Sequence, residues 1–462
     1  MEHDYKKIGL KSGLEIHQQL NTNKLFCDCP SLLRTDEPKY TIERKLNPVI
    51  GETGEIDIAA KHEAEKNKKF IYQVYDTNCL VELDEEPPHE INKEALKIAL
   101  QISTLLNCKI FPITQVMRKT VIDGSNTTGF QRTTLIAHDG YIKTSTGKIA
   151  IDAVMLEEDS ARPVSEDENS KTYKLDRLGI PLVEITTGPH MHTPEEIKEA
   201  ALKIGEILRA CNVKRGIGTI RQDVNISIKG SKRVEIKGFQ DPKMMIKTID
   251  KEIERQKKCI EEKSCKNEVR GALPDGTSKF QRPMPGAARM YPETDIPLLK
   301  ISRELINEVK KDLPKLMSEH KNYLDKFGLN PELIKLILKR NNIEDFKILI
   351  QEHNNPNLVA KMLTLFQPDK QISVDQLEEI LEAITKEKIS EKDVKTIMQK
   401  ISEGKSLKEA SEKADINLKS EAEKIIKEKP DLSQGAYMGL LMAKFKGQVS
   451  GKEVSDVLKE LL

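Results

Sequence analysis

Residues 148–159 read KIAIDAVMLEED, and this stretch indicates the fold most clearly. It is a short apolar run, rich in β-branched residues, that ends in three consecutive acids. Such a run is typical of a β-strand buried in a sheet. Comparable runs recur before residue 300, separated by Gly, Pro, Asn and Asp: GIPLVEITTG at 179–188, DVNISIKG at 223–230 and RVEIKGF at 233–239. Together they predict a strand-rich sheet domain.

Two helical segments interrupt these strands. Apolar residues recur at three-to-four spacing over 92–107, and residues 193–211 open with Thr, Pro and Glu at the positions that start a helix. Beyond about Ile301 the helical period dominates, while Gly and Pro become rarer and Lys and Glu commoner. The predicted fold class is therefore α+β, a sheet-rich part followed by an all-α part.

Composition excludes several classes of protein. The 462 residues, 37% hydrophobic and 32% charged, suit two or three domains, and no stretch approaches the roughly 18 apolar residues of a membrane span. Lys plus Arg number 75 against 74 Asp plus Glu, so any nucleic-acid contact must come from local patches. The N-terminus has no apolar signal core, which predicts a cytoplasmic protein with no membrane contact. Its seven cysteines are then expected to be reduced thiols or metal ligands.

Two stretches approach known motifs without matching them. GYIKTSTGK, residues 140–148, resembles a phosphate-binding loop, but its two glycines lie too far apart and Ile149 replaces the hydroxyl residue that would hold magnesium. A hairpin turn is the simpler interpretation. KHEAEK, residues 61–66, begins like a zinc-protease helix, but Lys66 occupies the second histidine position. It therefore predicts a solvated, charged face.

Acidic residues inside or directly after apolar strands are the main functional signal. Glu184 interrupts the run PLVEIT, and Glu157 and Glu158 follow the strand described first. In GLEIHQQL, Glu15 and His17 are two residues apart, so both face one side of a strand. Buried carboxylates are costly unless they are paired or bind a metal, and with one imidazole they would suit magnesium and its phosphate ligands. The alternative is that each acid is solvated or ion-paired at a strand end.

Basic and polar residues could provide the complementary half of such a site. The residues concerned are Arg118, Lys119 and Arg132 around a Gly/Ser/Asn turn, and Arg221, Asp223, Asn225, Glu235 and Lys237 on two strands. Alternation along a strand places polar groups on one surface, where they could hold triphosphate oxygens and a second metal. The alternative is that they form the exposed faces of half-buried strands.

Cys27 and Cys29 in LFCDCP are a further candidate pair. A C-x-C pair can bind zinc, but a tetrahedral structural site usually requires a second closely spaced pair, and the next cysteine is Cys79. Zinc at Cys27 and Cys29 is therefore considered but not favoured.

Nine stretches, taken in order, resemble those of a known family. They are GLEIHQQL, LFCDCP, DEEPPH, RKTVIDGSNTTGFQRT, LEEDSAR, DRLGIPLVEITTGP, VKRGIGTIRQDVNISI, VEIKGFQD and RPMPGAARMYPETDIP. They are similar to the E subunit of the archaeal glutamyl-tRNA(Gln) amidotransferase and, more distantly, to the B subunit of the bacterial enzyme. The C-terminal GAYMGLLMAKFKGQVSGKEV resembles the end of the family's tail. The resemblance implies a cradle-shaped catalytic domain at 1–299, a helical domain at 300–395 and a tRNA-binding tail domain at 396–462.

The resemblance also implies a two-step reaction on glutamate esterified to glutamine tRNA. ATP phosphorylates the side-chain carboxylate, and ammonia then displaces phosphate to give glutaminyl-tRNA, with magnesium neutralising charge. The family's D subunit, an asparaginase-like glutaminase, would provide the ammonia, so the chain would act within a hetero-oligomer. Two alternatives stay open: a tRNA-binding adaptor without catalysis, and a transamidase for another acyl-tRNA such as Asp-tRNA(Asn).

Site residues follow from the resemblance by motif position. The family's metal ligands correspond to Glu15, His17, Glu184 and one of Glu157 or Glu158, with Glu15, His17 and Glu184 also expected to be catalytic. The nucleotide-binding role is extended to Lys119, Asp223 and Glu235.

The chain departs from the family pattern in two places. Archaeal E subunits carry a domain resembling an insert of bacterial aspartyl-tRNA synthetases before ALPDGT, whereas here a few residues, SCKNEVRG, lead directly into that motif. This puts in question how the tRNA body is held and whether the chain pairs with the D subunit. Bacterial B subunits that bind zinc use two cysteine pairs, and here only Cys27 and Cys29 form a close pair.

Overall fold

The computed structural model describes residues 4–51, 54–239, 242–286, 289–411, 418–430, 432–445 and 451–462. The chain divides after Leu316 into two compact units. The first unit combines sheets with helices and the second is helical where described, which confirms the predicted α+β class. Parts of VEIKGFQD, RPMPGAARMYPETDIP and the C-terminal family segment lie outside the described residues.

All the described strands belong to the first unit. They are β1 Lys11–Gln19, β2 Tyr40–Arg44, β3 Lys69–Val74, β4 Lys109–Ile110, β5 Ile113–Thr114, β6 Val116–Thr120, β7 Phe130–Thr144, β8 Gly147–Glu158, β9 Arg162–Glu166, β10 Ser170–Lys174, β11 Pro181–Thr187, β12 Ile220–Ser227, β13 Val234–Phe239, β14 Glu268–Ala272, β15 Ser278–Pro283, β16 Met290–Pro292 and β17 Leu299–Lys300.

One large sheet dominates the first unit. Among the described residues it has eleven strands, in the order β15-β14-β13-β12-β1-β11-β8-β7-β6-β16, with β4 added against β7. A four-stranded sheet has the order β2-β3-β10-β9, and β5 pairs with β17. The stretch at 140–148 forms the β7–β8 hairpin, where Thr144 lies opposite Gly147, which confirms the turn interpretation.

Helices cover one face of the large sheet. The helices of the first unit are α1 Tyr5–Ile8, α2 Ile58–Ala64, α3 Lys93–Leu105, α4 Pro194–Ala210, α5 Pro242–Glu261 and α6 Arg303–Lys311. Asn92 caps α3, and Thr193 forms the predicted capping box with Glu196 at the start of α4. Leu14 and Ile16 of β1 are buried in the core with apolar residues of α3, α4 and α5. Alternation along β1 therefore turns Glu15 and His17 to the opposite face.

The described part of the second unit consists of short helices. They are α7 Met317–Asp325, α8 Pro331–Arg340, α9 Ile343–Glu352, α10 Pro356–Leu363, α11 Val374–Thr385, α12 Val394–Ser402, α13 Leu407–Ser411, α14 Leu418–Glu428, α15 Gln434–Lys444 and α16 Gly451–Leu461. One apolar cluster runs from Leu324 to Ala410 and another from Ala422 to Leu458. Val309 of α6 lies in the core of the first unit, although it follows the predicted boundary at 299. The functional division at 299 and 395 stays a prediction.

The expectation that all cysteines are reduced or metal-bound is wrong for two of them. Cys259 and Cys265 form a disulfide. Cys259 lies in the last turn of α5, and the chain reverses at once towards β14, so the two sulfur atoms meet. Only residues 262–267 connect α5 to β14, at the place where the family's insert domain was expected and not found.

The structure also bears on membrane contact. Within the described ranges, every helix is too short or too polar to cross a bilayer.

Candidate active site and metal centre

The candidate site is a polar row on the face of the large sheet opposite the one that packs against α3, α4 and α5. Strand β1 lies between β11 and β12, and antiparallel pairing places His17 opposite Glu184 on one side and opposite Arg221 on the other. Glu15 lies opposite Asp223. Because directly opposite residues share a face, these side chains from three strands meet on one surface.

His17 is the hub of this row. Its Nε2 atom lies 3.3 Å from Glu184 Oε2, 3.5 Å from Glu15 Oε1 and 3.6 Å from Glu157 Oε1. The Lys119 Nζ atom lies 2.7 Å from Glu157 Oε2 and 3.6 Å from Glu184 Oε2. The structure thus brings together candidates from β1, β8 and β11, and adds Lys119 from β6 as a buried cation.

The structure places Glu157 and Glu158 in different surroundings. Adjacent residues of a strand face opposite sides, so only Glu157 points towards His17. Glu158 Oε2 accepts a hydrogen bond from the Arg132 N–H at 3.2 Å, and its Oε1 lies 3.4 Å from Arg132 Nη1. Arg132 also donates to Glu293 at 2.8 Å. Glu158 therefore belongs to a separate buried ion-pair network.

A second group of polar residues continues the row on β12 and β13. Lys237 Nζ lies 2.6 Å from Asp223 Oδ2 and also contacts Glu235. The Gly238 N–H donates to Asp223 Oδ1 at 3.3 Å. Asp223 and Glu235, which the family resemblance assigns to nucleotide, thus share one lysine and lie beside Glu15.

Burial and neighbouring charges shift the pKa values in this row. Burial, reinforced by the charge of Glu184, raises the pKa of Glu15 to about 7. Burial alone would lower the pKa of His17, but the hydrogen bond and charge of Glu184, with Glu15 and Glu157, raise it to about 8. Burial would raise the pKa of Glu184, but Lys119 and His17 hold it well below its usual range. Burial raises the pKa of Glu157 despite its lysine partner.

The donor atoms fit a divalent cation. His17, Glu157 and Glu184 have ligand atoms within 4.8 Å of one another, and so do Glu15, His17 and Asp223. Both groups are dominated by carboxylate oxygens, which magnesium prefers. In the described chain the carboxylates of the row outnumber its buried lysines, Lys119 and Lys237, so a bound cation would relieve their repulsion.

Arg221 is positioned at the row by an ion pair that the sequence did not predict. Its Nη2 atom lies 2.9 Å from Asp159 Oδ1, and Gln19 Nε2 donates to Asp159 Oδ2 at 2.6 Å. The Arg221 side chain is 36% exposed, whereas Asp159 is buried. Asp159 therefore fixes the partly exposed Arg221 side chain beside His17. The third acid of the LEED run was the available signal, but its spacing does not indicate the partner.

A second potential metal group lies away from the polar row. Cys27, Cys29, Cys79 and Glu82 offer ligand atoms that all lie within 4.8 Å of one another. The Cys27 thiol donates to Glu82 Oε1 at 3.2 Å, and the buried Lys24 lies 2.7 Å from the same oxygen. The neighbouring Cys27 side chain lowers the pKa of Cys29 to about 7. Zinc was not favoured from the sequence because Cys79 is far from Cys27 and Cys29 along the chain. Folding brings the three thiols together.

Comparison with known proteins identifies the class to which this fold and site belong. The family model for the GatB/GatE catalytic domain matches residues 10–307, which include every residue of the polar row. The chain belongs to this family.

The relatives that align with the whole chain are all named as the same subunit of one enzyme. The chain is 37% identical to the glutamyl-tRNA(Gln) amidotransferase E subunit of Methanocaldococcus jannaschii, over 627 aligned positions that cover all of both chains. It is 34% identical to the protein of the same name from Saccharolobus solfataricus and 32% to that from Methanosarcina barkeri, covering all of this chain and 99% of each relative. The predicted family and the predicted enzyme class, a component of an amidotransferase and hence of a ligase, are confirmed.

The same alignments bear on the missing domain. The alignment with the Methanocaldococcus jannaschii protein extends over 627 positions, whereas this chain has 462 residues, so that relative carries residues without a counterpart here. This agrees with the predicted loss of an insert.

Proposed function

We propose that this chain phosphorylates the side-chain carboxylate of glutamate esterified to tRNA(Gln) and then transfers the activated acyl group to ammonia. The observation that carries the proposal is the convergence of His17, Glu157 and Glu184 with Lys119 on one sheet face. The relatives that align with the whole of this chain are named for glutamyl-tRNA(Gln) amidation. A carboxylate is a poor electrophile, so activation by phosphate must precede attack by ammonia.

The residues of the row have distinct proposed roles. Glu157, Glu184 and His17 would hold a magnesium ion, with Glu15 and Asp223 extending the site towards a second one. Bound there, magnesium would neutralise charge on the transferred phosphoryl group.

The cations of the row would act on the substrates directly. Lys119 and Lys237 pair with the neighbouring carboxylates and would meet phosphate oxygens, consistent with the proposed nucleotide-binding role of Lys119, Asp223 and Glu235. Arg221, held by Asp159 at the rim, would attract the substrate carboxylate into an otherwise acidic site.

The chemistry defines what the partners must provide. In the first step a carboxylate oxygen attacks the γ-phosphorus of ATP and ADP leaves; in the second, ammonia attacks the acyl carbon and phosphate leaves. We propose that the ammonia comes from a glutaminase, an asparaginase-like D subunit in a cytoplasmic hetero-oligomer, since the relatives are named as subunits.

We further propose that Cys27, Cys29, Cys79 and Glu82 hold a structural zinc ion. Three thiols and one carboxylate at mutual distances within 4.8 Å form a set that suits tetrahedral zinc. Lys24 would stay as a counter-charge to Glu82.

The activity test uses the full chain with its glutaminase partner, ATP, magnesium, glutamine and glutamyl-tRNA(Gln), followed by identification of the esterified amino acid. Glutaminyl-tRNA is expected. Binding of tRNA without its formation would favour an adaptor. A parallel reaction with Asp-tRNA(Asn) tests the other alternative, and conversion of that substrate alone would overturn the proposed specificity.

A further inference from the structure

A polar cavity lies beside the strand that carries Lys119. It has a volume of about 80 Å³ and is lined by residues of 120–123, by α2 and by Arg282 and Arg289. Thr120 follows Lys119 directly in β6, and Arg289 Nε donates to the Thr120 carbonyl oxygen at 3.3 Å. The cavity therefore adjoins the strand segment that contributes to the polar row.

The two arginines of this cavity have no carboxylate within ion-pair distance in the described parts of the chain. Most other buried or half-buried arginines of the first unit do have one; Arg132, for example, pairs with both Glu158 and Glu293. Burial, and then the charge of Arg282, lowers the pKa of Arg289. Two guanidinium groups lining one cavity repel each other unless an anion lies between them.

The carboxylates of the cavity are already used by the protein. Asp57 accepts hydrogen bonds from backbone N–H groups, including those at the start of α2 at 3.0 and 3.1 Å. Glu63 pairs with Lys66 at 2.7 Å, and Asp123 accepts the Ser125 N–H at 2.9 Å. They therefore offset the charge of the arginines only in part.

The charges of the cavity and of the polar row influence each other. Arg289 is close enough to Glu157 and Glu184 for their charges to raise its pKa, and it in turn opposes the charge on Lys119. An anion bound by the arginines would therefore lie near the proposed magnesium ligands.

We propose that this cavity binds phosphate oxygens of the nucleoside triphosphate, with Arg282 and Arg289 as its ligands. The inference rests on the proposed function and adds two residues that the family motifs did not assign. Guanidinium groups suit phosphate because their N–H groups form paired, charge-assisted hydrogen bonds. The cavity, at about 80 Å³, has room for a phosphate group, since roughly 10–15 Å³ of such space holds one water molecule.

The test compares the full chain with the variants Arg282→Gln, Arg289→Gln and their combination. Arg303→Gln is the matched control, because Arg303 is exposed in the first turn of α6. Binding of ATP, tripolyphosphate, adenosine and uncharged tRNA(Gln) is measured by calorimetry in the presence of magnesium, and thermal unfolding checks the fold. Each single variant should weaken ATP and tripolyphosphate binding about tenfold or more, with adenosine and tRNA binding unchanged.

Other results overturn the inference. They are an unchanged ATP affinity in the folded double variant, or a loss confined to tRNA, which would make a tRNA phosphodiester the occupant. Arg289→Lys, which keeps a charge, should recover part of the affinity and separates a ligand role from a packing defect. Release of ADP that depends on glutamyl-tRNA(Gln) is measured separately. If the parent chain binds ATP through the arginines but releases no ADP, the proposed function fails and the cavity assignment stands.

Discussion

His17 Nε2 lies 3.3 Å from Glu184 Oε2, across the antiparallel pairing of β1 with β11. The contact joins residues far apart in the chain, and it depends on register: a slip of one residue would turn His17 into the apolar core. Glu184 is also near Lys119, so one carboxylate links the imidazole to the buried lysine. Removing its charge should therefore disturb the site more than the fold.

We expect Glu184→Gln to abolish metal-dependent phosphorylation, with a loss of about 100-fold or more in kcat, because a ligand and charge partner are lost while side-chain shape is kept. The measurement is ADP release from ATP in the presence of magnesium and glutamyl-tRNA(Gln). Glu254→Gln on the exposed side of α5 is the control and should behave like the parent. Unchanged phosphorylation by Glu184→Gln would remove this residue from the proposed site.

Glu157→Gln and Glu158→Gln should differ in kind. Glu157 contacts His17 and Lys119, so its variant should lose phosphorylation by about 100-fold with a small change in Tm. Glu158 pairs with Arg132, so its variant should mainly lower stability, by on the order of 3 kcal/mol. Activity per folded molecule and thermal unfolding are measured together. The opposite pattern would make Glu158 the metal ligand.

The ion pairs of Glu293 with Arg118 and Arg132 should make the stability of the protein depend on pH. Burial alone would raise the pKa of Glu293, but hydrogen bonds from Arg118, the Asp295 N–H and Arg132 lower it from 4.5 to about 2. The lower pKa belongs to the folded state, so this contribution is complete above about pH 4.5 and is lost as the pH falls towards 2. Glu293→Gln should lower the free energy of unfolding at pH 7 by on the order of 3 kcal/mol.

The same variant should respond less to acid than the parent does. Urea unfolding at about pH 7 and about pH 3 is the measurement, since the interval spans most of the titration. Equal losses of stability in parent and variant would show that the Glu293 carboxyl does not titrate as stated.

Gly124→Ala should destabilise the first unit. Gly124 has a φ of 85°, and an added Cβ would lie 2.1 Å from Phe70 Cδ1. We expect a loss on the order of 3 kcal/mol from the clash together with backbone strain. Gly218→Ala is the matched control, because φ is 84° there and no atom lies within 4 Å of the added group. It should cost about 1 kcal/mol in urea unfolding, and equal effects would exclude the clash.

The cysteine group predicts a metal content. Protein purified without chelator should carry about one equivalent of zinc per chain by elemental analysis. Cys79→Ser should reduce this several-fold, since it removes one of three thiol ligands. Cys108→Ser, a free cysteine outside the group, should keep the metal. Zinc-free parent protein would contradict the assignment.

Local patterns in the chain were sufficient for part of this description. The apolar, β-branched run at 148–159 and the cap at Thr193 predicted a strand and a helix correctly, because residue propensity and capping depend on neighbouring residues. Alternation in GLEIHQQL placed Glu15 and His17 on one face for the same reason. The order of the motifs predicted the family.

Contacts between distant segments could not be obtained in this way. Glu157 and Glu158 are equivalent in sequence, and only the pairing of β8 with its neighbours determines which one faces His17. The spacing of Cys27 and Cys79 argued against zinc, and folding brings them together.

By itself the sequence determined the α+β class, the helix starts, the family and the alternation that puts an acid and a histidine on one face of β1. Only the tertiary structure decided that Asp159 holds Arg221, that Arg282 and Arg289 share a cavity, and that Cys259 bonds to Cys265. The physical reason is range. Propensity and periodicity act within a few residues, whereas register and burial are set by cooperative packing of segments far apart in the chain.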